Sequence, residues 1–273
     1  MSSQVQIRPC HSLSEFEECV RLQLIVWGKD IVVPTPVFVV AEHTGGFTHG
    51  AFIDSKMVGF SMAFAAYSHS RPFLHSHMAA VAPEYQNTGI GRRLKLAQRE
   101  DALRAGIGLM EWTFDPLEFR NAHFNLVRLG AIVRRFIPDC YGITDSPLHA
   151  GLPTDRLVAE WWLDSERVQS VLARKPPAKH VEEVRISLPG NLAQIKQKDR
   201  AAAARIQSQA AAQFQDFFAR GYAATSVEAR GANFDYILEP AASIAGLQLP
   251  DAPAEIHSKQ DRRKNALKIH SRE

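Results

Sequence analysis

The sequence predicts a mixed α/β fold of the α+β, mixed-sheet kind, and three observations carry that prediction. Apolar runs of strand length alternate with stretches of helical periodicity through residues 1–165. Two of the strands flank the short polar turn Asp54-Ser55-Lys56, so an antiparallel hairpin sits among strand-helix-strand units and the sheet is mixed. One further apolar strand runs into a glycine-containing loop that opens directly onto an amphipathic helix.

Taken in order, Val5–Arg8 before Pro9 reads as a short first strand. Leu13, Phe16, Val20, Leu24 and Trp27 then recur at helical spacing after a cap at Ser12 or Ser14. Gly50–Ile53 and Val58–Ala66 form the hairpin, and Leu74–Ala82 is a strand ended by Pro83. Ile90 to about Ala105 is a helix with Leu94, Ala97, Ala102 and Leu103 as inner positions, stopped by Gly106. Leu109–Phe114 is a strand, Phe119–Leu129 a helix closed by Gly130, and Ala131–Ile137 and Leu157–Leu163 are the last strands of this unit. The expected order is β-α-ββ-β-α-β-α-β-β.

After Leu163 the character changes. Lys175-Pro176-Pro177 marks a linker, Val181–Leu188 a strand, Asn191 to Arg220 one long Ala-rich helix, and Tyr222–Ala229 with Asn233–Leu238 a closing hairpin around Arg230-Gly231. The domain expectation is therefore a first domain at 1–165, a β-helix-β-β extension at 166–240, and a disordered basic tail at 241–273. The long helix is a scaffold by default, with an acceptor pocket or a homodimer interface as its other uses.

Composition bounds the function classes. Hydrophobic residues at 45% and charged residues at 22% match an ordinary globular chain. Residues 259–273 carry a net charge of +4 while the whole chain is +3, so the body is nearly neutral and gives no electrostatic reason to expect nucleic acid. Three cysteines, Cys10, Cys19 and Cys140, form no CxxC pair and no disulfide framework, which fits a reducing cytoplasm. No apolar stretch approaches membrane-spanning length, and the N-terminus lacks a secretory pattern; no membrane partner is expected.

The chemistry concentrates in Met78–Leu96, MAAVAPEYQNTGIGRRLKL. Gly89 and Gly91 let a ligand approach the backbone, the first amides of the following helix point outward, and the helix dipole adds partial positive charge, so the segment is a cradle for a phosphate-bearing ligand. Gln86-Asn87-Thr88-Gly89-Ile90-Gly91 is neither GxxxxGK[ST] nor GxGxxG. Arg92 and Arg93 add cations beside it.

Positions 86–91 instead resemble, residue by residue, the Q/R-x-x-G-x-G/A acetyl-CoA signature of the GNAT (Gcn5-related N-acetyltransferase) superfamily, and the element order from Val5 to Leu163 is similar to that fold. The run WTFDPL followed by RNAHFN and LGA is similar to an uncharacterised predicted-acetyltransferase subgroup. The resemblance implies an acyl-CoA N-acyltransferase fold, acetyl-CoA as cosubstrate, loop amides around the CoA pyrophosphate, the preceding strand along pantetheine with a Val81 amide on the thioester carbonyl, and Asn121 near the CoA arm. It implies transfer of an acetyl group to an amine of a small molecule or peptide.

The expected CoA-binding residues are thus Val81, Gln86, Asn87, Thr88, Gly89, Ile90, Gly91, Arg92 and Asn121. Many relatives carry a tyrosine four residues before the LG(F/A) element as proton donor, where this chain has Leu126; Tyr141 is the phenol offered instead. Direct attack by an amine needs one base, and Glu111 is the first candidate, followed by Asp115, His75 and His77. His75 and His77 share a strand face and with His69 invite a metal reading, but no acidic or cysteine partner stands at suitable spacing, and no metal is expected. The other readings are a non-catalytic CoA-binding regulatory module and an interaction scaffold.

Overall fold

The computed structural model describes residues 4–29, 32–68, 71–142, 151–175, 182–244 and 247. His69, Pro176-Pro177 and the basic segment 259–273 lie outside the described residues. The backbone divides into two compact units, Met1–Trp112 with Trp162–Asp164, and Thr113–Trp161 with Ser165–Glu273. These units cut across the expected boundary at residue 165, because a strand assigned from sequence to the first domain pairs with one from the C-terminal region, as described below.

In the first unit β1 (Gln6–Pro9), β2 (Phe47–Ile53), β3 (Lys56–Ser68) and β4 (Arg71–Val81) pair antiparallel in that order, and β5 (Leu109–Phe114), whose last two residues belong to the second unit, runs parallel to β4. The sheet is mixed, as the sequence predicts. Helix α1 (Leu13–Trp27) starts at Ser12, whose side chain accepts from Glu15 N while Glu15 reaches back, a capping box that settles the choice between Ser12 and Ser14. Helix α2 (Thr35–His43) is absent from the sequence expectation. It begins at Pro34-Thr35-Pro36, with Pro36 in the first turn, where its missing N–H costs nothing.

Each face of this sheet has its own core. Phe16 and Leu22 of α1 and Phe38 of α2 close on Phe60 and Met62 of β3, with Phe16 and Phe38 ring centroids 5.7 Å apart. On the other face Ile90 and Leu94 of α3 (Ile90–Arg104) pack on Ala51 and Val58. Burying side chains of this size stabilises by about 2 kcal/mol each, which fixes α3 and hence the loop before it against the sheet.

In the second unit α4 (Phe119–Ala122) widens into a π-helical turn over His123–Arg128, where Leu129 N donates to Phe124 O, and Gly130 closes it at φ +79. The regular helix expected over 119–129 is therefore one turn of α followed by π. β6 (Ile132–Ile137) pairs with β7 (Arg156–Trp162) and with β9 (Tyr222–Arg230), and β10 (Asn233–Pro240) joins β9 to β8 (Val184–Pro189), all antiparallel. α5 (Glu166–Leu172) follows β7, capped by Ser165.

The single helix expected from Asn191 to Arg220 is two, α6 (Leu192–Lys198) and α7 (Arg200–Ala219). Asp199 breaks it, with extended backbone (φ −145, ψ 88) and a side chain that accepts from Ala202 N at 2.8 Å. Aspartate is a better N-cap than a helix-interior residue, and the Ala-rich run restarts from it. Phe214 of α7 packs on Phe136 and Tyr236, and the Tyr236 hydroxyl donates to Pro116 O at 2.8 Å. Trp161 is fully buried and donates from Nε1 to Leu129 O.

Candidate active site

Strand β4 parts from both neighbours in informative ways. Against β3 the register passes from Met62↔Met78 to Ala63↔Ser76, so His77 is an extra residue and the strand carries a bulge there. Against β5 it pairs only at Leu74↔Met110 and His75↔Glu111. From Ser76 onward β4 keeps β3 on one edge and has no strand partner among the described residues on the other. Ala82 N bonds Val58 O on β3, and the peptide groups of a strand alternate sides, so the Val81 N–H faces the open edge.

The chain then turns through Pro83–Tyr85 into the glycine loop. Gln86 Nε2 donates to Val81 O at 3.1 Å and Thr88 Oγ1 to Tyr85 O at 2.6 Å, so both side chains brace the loop. Asn87 (φ 62) and Gly89 (φ 89) take left-handed backbone, which asparagine tolerates and glycine adopts freely. Gly89 is the N-cap of α3 and has no side chain to satisfy the amides of Ile90, Gly91 and Arg92. A Cβ on Gly89 would meet nothing within 4 Å, and one on Gly91 only Val81 Cγ2 at 4.0 Å. Packing within the chain does not require a glycine at 91; the space above the amides is open.

Ile90 is buried and anchors the helix start, while Gln86, Asn87, Thr88 and Gly89 are exposed. Arg92 is half-buried at the first turn. Arg93 donates to Val5 O at 2.7 Å and is thereby committed to holding the N-terminal segment.

Glu111 lies half-buried on β5, register partner of His75, and on the strand face opposite Met110 and Trp112. Two of the candidate bases thus stand side by side at the point where β4 and β5 part. Desolvation, with His77 and Lys95 adding positive charge nearby, holds the half-buried His75 down at about 4, and desolvation lowers His77 as well although that residue is exposed. Both imidazoles are neutral at neutral pH. Their ring centroids are 6.0 Å apart. Among the described residues no three His, Cys, Asp or Glu side chains gather as metal ligands would.

Sequence reasoning missed Lys95. The inner face of α3 is Ile90, Leu94, Lys95, Gln98 and Ala102, where Ala97 and Leu103 were expected in place of the two polar residues. Lys95 Nζ donates to Ser76 Oγ at 2.6 Å and lies 3.7 Å from the centroid of the Trp112 ring. Ser76 in turn donates to Gln98 Oε1 at 3.0 Å. Burial alone lowers the lysine to about 7. The i, i+4 series 90-94-98-102 is readable, but Gln98 within it and Lys95 beside it are residue types that mostly face solvent.

The remaining candidates belong to the second unit. The Tyr141 hydroxyl and Thr113 Oγ1 are 2.8 Å apart, and desolvation raises the phenol, which stays protonated at neutral pH although the residue as a whole is 53% exposed. Asn121 is exposed on α4, and Leu126 is fully buried. Asp115 accepts from Leu117 N at 2.8 Å and faces Lys196 at 3.5 Å, a strand-ending turn fastened by a cation.

A mixed sheet with a bulged strand, a forked parallel neighbour and a glycine loop that leaves a helix start uncapped defines the α/β architecture of this part of the chain. Residues 12–128 match the acetyltransferase (GNAT) family and form a domain of that family. The structure is similar to the ribosomal-protein-S18-alanine N-acetyltransferase of Escherichia coli, at 14% identity over 57% of this chain and 92% of that one, TM-score 0.47. It is similar to smu.2055 of Streptococcus mutans, at 18% identity over 58% and 99%, TM-score 0.48. It is also similar to Arabidopsis thaliana Naa50 in complex with a bisubstrate analogue, at 13% identity over 57% and 97%, TM-score 0.46. No curated protein matches the chain in sequence. No described helix is long and apolar enough to cross a membrane.

Proposed function

We propose that this protein transfers an acetyl group from acetyl-CoA to an amine of a small molecule or peptide, by direct attack within a ternary complex. The observation that carries the reading is the uncapped α3 start behind the open space at Gly89 and Gly91, in a chain with a GNAT domain over the same residues. The CoA pyrophosphate takes the amides of Ile90, Gly91 and Arg92, with the helix dipole and Arg92 supplying positive charge. Gln86, Asn87 and Thr88 shape the loop, and the pantetheine amides run along the open edge of β4 from Ser76 to Val81. The Val81 N–H polarises the thioester carbonyl. Asn121 is the proposed further contact to the CoA arm, as the family resemblance implies.

Attack by a neutral amine forms the C–N bond and releases the thiolate of CoA; the amine loses a proton and the thiolate gains one. Glu111 is the proposed base, acting through water on the incoming amine. His75 is a poorer base, since charging a half-buried imidazole held near 4 is costly at neutral pH. Tyr141 keeps the protonated phenol that a donor to the thiolate needs. Two of the three free thiols, Cys10 and Cys19, are buried, in keeping with a reducing cytoplasm.

The test is calorimetric titration with acetyl-CoA and desulfo-CoA, with ATP for comparison, followed by a screen of amine acceptors. Saturable binding of both CoA forms, much tighter than ATP, with release of free thiol on adding an amine, is the expected result. Absence of binding would overturn it. Binding without turnover on any amine would favour a CoA-sensing module, the reading suggested by the fully buried Leu126 where many relatives carry tyrosine.

A further inference from the structure

The last paired residues of β4 and β5 are His75 and Glu111, and the next residue on each strand is Ser76 and Trp112. Lys95 reaches up from α3 and touches both: its Nζ donates to Ser76 Oγ at 2.6 Å and sits 3.7 Å from the centroid of the Trp112 ring. One side chain therefore bridges the two strands at the step where their hydrogen bonding stops. We propose that Lys95 is a positioning residue that sets the width of the β4–β5 fork and so aligns the open β4 edge for the pantetheine arm. This rests on the CoA reading above.

Adjacent parallel strands with free backbone groups tend to pair, and pairing here would consume the edge that an extended ligand needs. A rigid wedge prevents that. Lys95 suits the role because both its contacts are directional: the ammonium donates to an oxygen on one strand and lies over the π face of a ring on the other. Ser76 is oriented from behind, since it accepts from Lys95 and its own proton goes to Gln98 Oε1. Gln98 Nε2 has no partner and is wholly buried, so the amide keeps a donor to spare beside Ser76.

A purely structural side chain would look different. Lys95 is 5% exposed, and no carboxylate is among its partners, so charging it in the core carries a desolvation cost that methionine would avoid at similar volume. Packing alone therefore favours the apolar residue, and the cation has to be explained by the strands it bridges.

The experiment compares Lys95→Met with wild type by calorimetry against desulfo-CoA and against the nucleotide half of CoA, 3′-phosphoadenosine diphosphate, which engages the glycine loop and lacks the arm. The expected result is an unchanged affinity for the nucleotide half, a loss of about tenfold or more for desulfo-CoA, and a raised KM for acetyl-CoA, with the melting temperature equal to or above wild type. Ser76→Ala removes one of the two bridging contacts with minimal change in volume and is expected to show the same selective loss at smaller amplitude, which keeps the test open if Lys95→Met does not fold. Equal desulfo-CoA affinity in folded variants and wild type would overturn the inference alone. Wild-type protein that binds neither ligand would overturn the CoA reading and the inference with it.

Discussion

Two buried lysines, one in each unit, are handled in opposite ways. Lys196 on α6 is 8% exposed and faces the carboxylates of Asp115 at 3.5 Å and Glu118 at 3.7 Å, so its charge is compensated where the chain turns after β5. Lys95 on α3 is 5% exposed and has a hydroxyl and an indole face instead. The first arrangement ties down a turn. The second places a cation where the strand pairing ends, and its cost in stability marks it as serving the site. The contrast extends to the glycines: Gly130 in the second unit has Val171 Cβ 3.2 Å from where its own Cβ would stand, whereas Gly89 meets nothing. Both take left-handed backbone; packing adds a second demand for glycine at 130, while at 89 the backbone alone makes it and the space beside it is open.

The contrast is most sharply broken at the cradle. Gly89→Glu combined with Gly91→Asp adds bulk and negative charge above the α3 amides, and a loss of CoA affinity of about 1000-fold is expected by calorimetry while the protein stays folded. Retained binding would remove the cradle from the site.

Acid provides the next test. His49 accepts burial in the first unit with Asp101 beside it at 2.7 Å, yet desolvation and the Arg104 that shares this carboxylate hold the imidazole at about 4; His75 is held at about 4 as well. Both fall from an unfolded value of 6.5, so the unfolded chain binds more protons in this window and stability is lost as pH drops from 6.5 through 4, by roughly 3 kcal/mol for each group. Lys95, lowered from 10.5 to about 7, adds a loss as pH falls from 10.5 to 7. Urea midpoints measured across pH should show both slopes, and Lys95→Met should abolish the alkaline one.

Glu111→Gln is expected to cut turnover about 100-fold at saturating acetyl-CoA with its binding unchanged; full turnover at every pH would remove Glu111 from the mechanism. The smallest effect is on Lys196. Lys196→Met leaves Asp115 and Glu118 facing each other without a cation, and a destabilisation of about 2 kcal/mol in urea is expected, discounted because Glu118 is half exposed, with CoA affinity unchanged. A variant with opposite behaviour, stable but weak in CoA binding, would erase the distinction between the two lysines.

Much of this was legible in the sequence. Strands and helices with clean periodicity, such as Leu109–Phe114 and Leu13–Trp27, stand at or within a residue of their expected bounds, and Gln86-Asn87-Thr88-Gly89-Ile90-Gly91 marks the strand-loop-helix joint by local backbone demands alone. Helix α2 was hidden because Pro34-Thr35-Pro36 has the same composition at a helix start as in a loop. The break at Asp199 was hidden because alanine on one side and lysine on the other are equally helical, so only the capping bond to Ala202 N decides it.

The sequence by itself determined most of the strands and helices, α2, α5 and the break at Asp199 apart, and where an anion could meet a helix start, since these follow from periodicity and from the conformations open to glycine and asparagine. Tertiary structure decided where β4 leaves β5, that Glu111 and His75 stand together at that point, and that Lys95 and Gln98 face inward. Those features depend on the bulge at His77 and on which strands lie beneath α3. Periodicity names the face of a helix, but whether a polar residue on it is desolvated is set by the neighbour it meets.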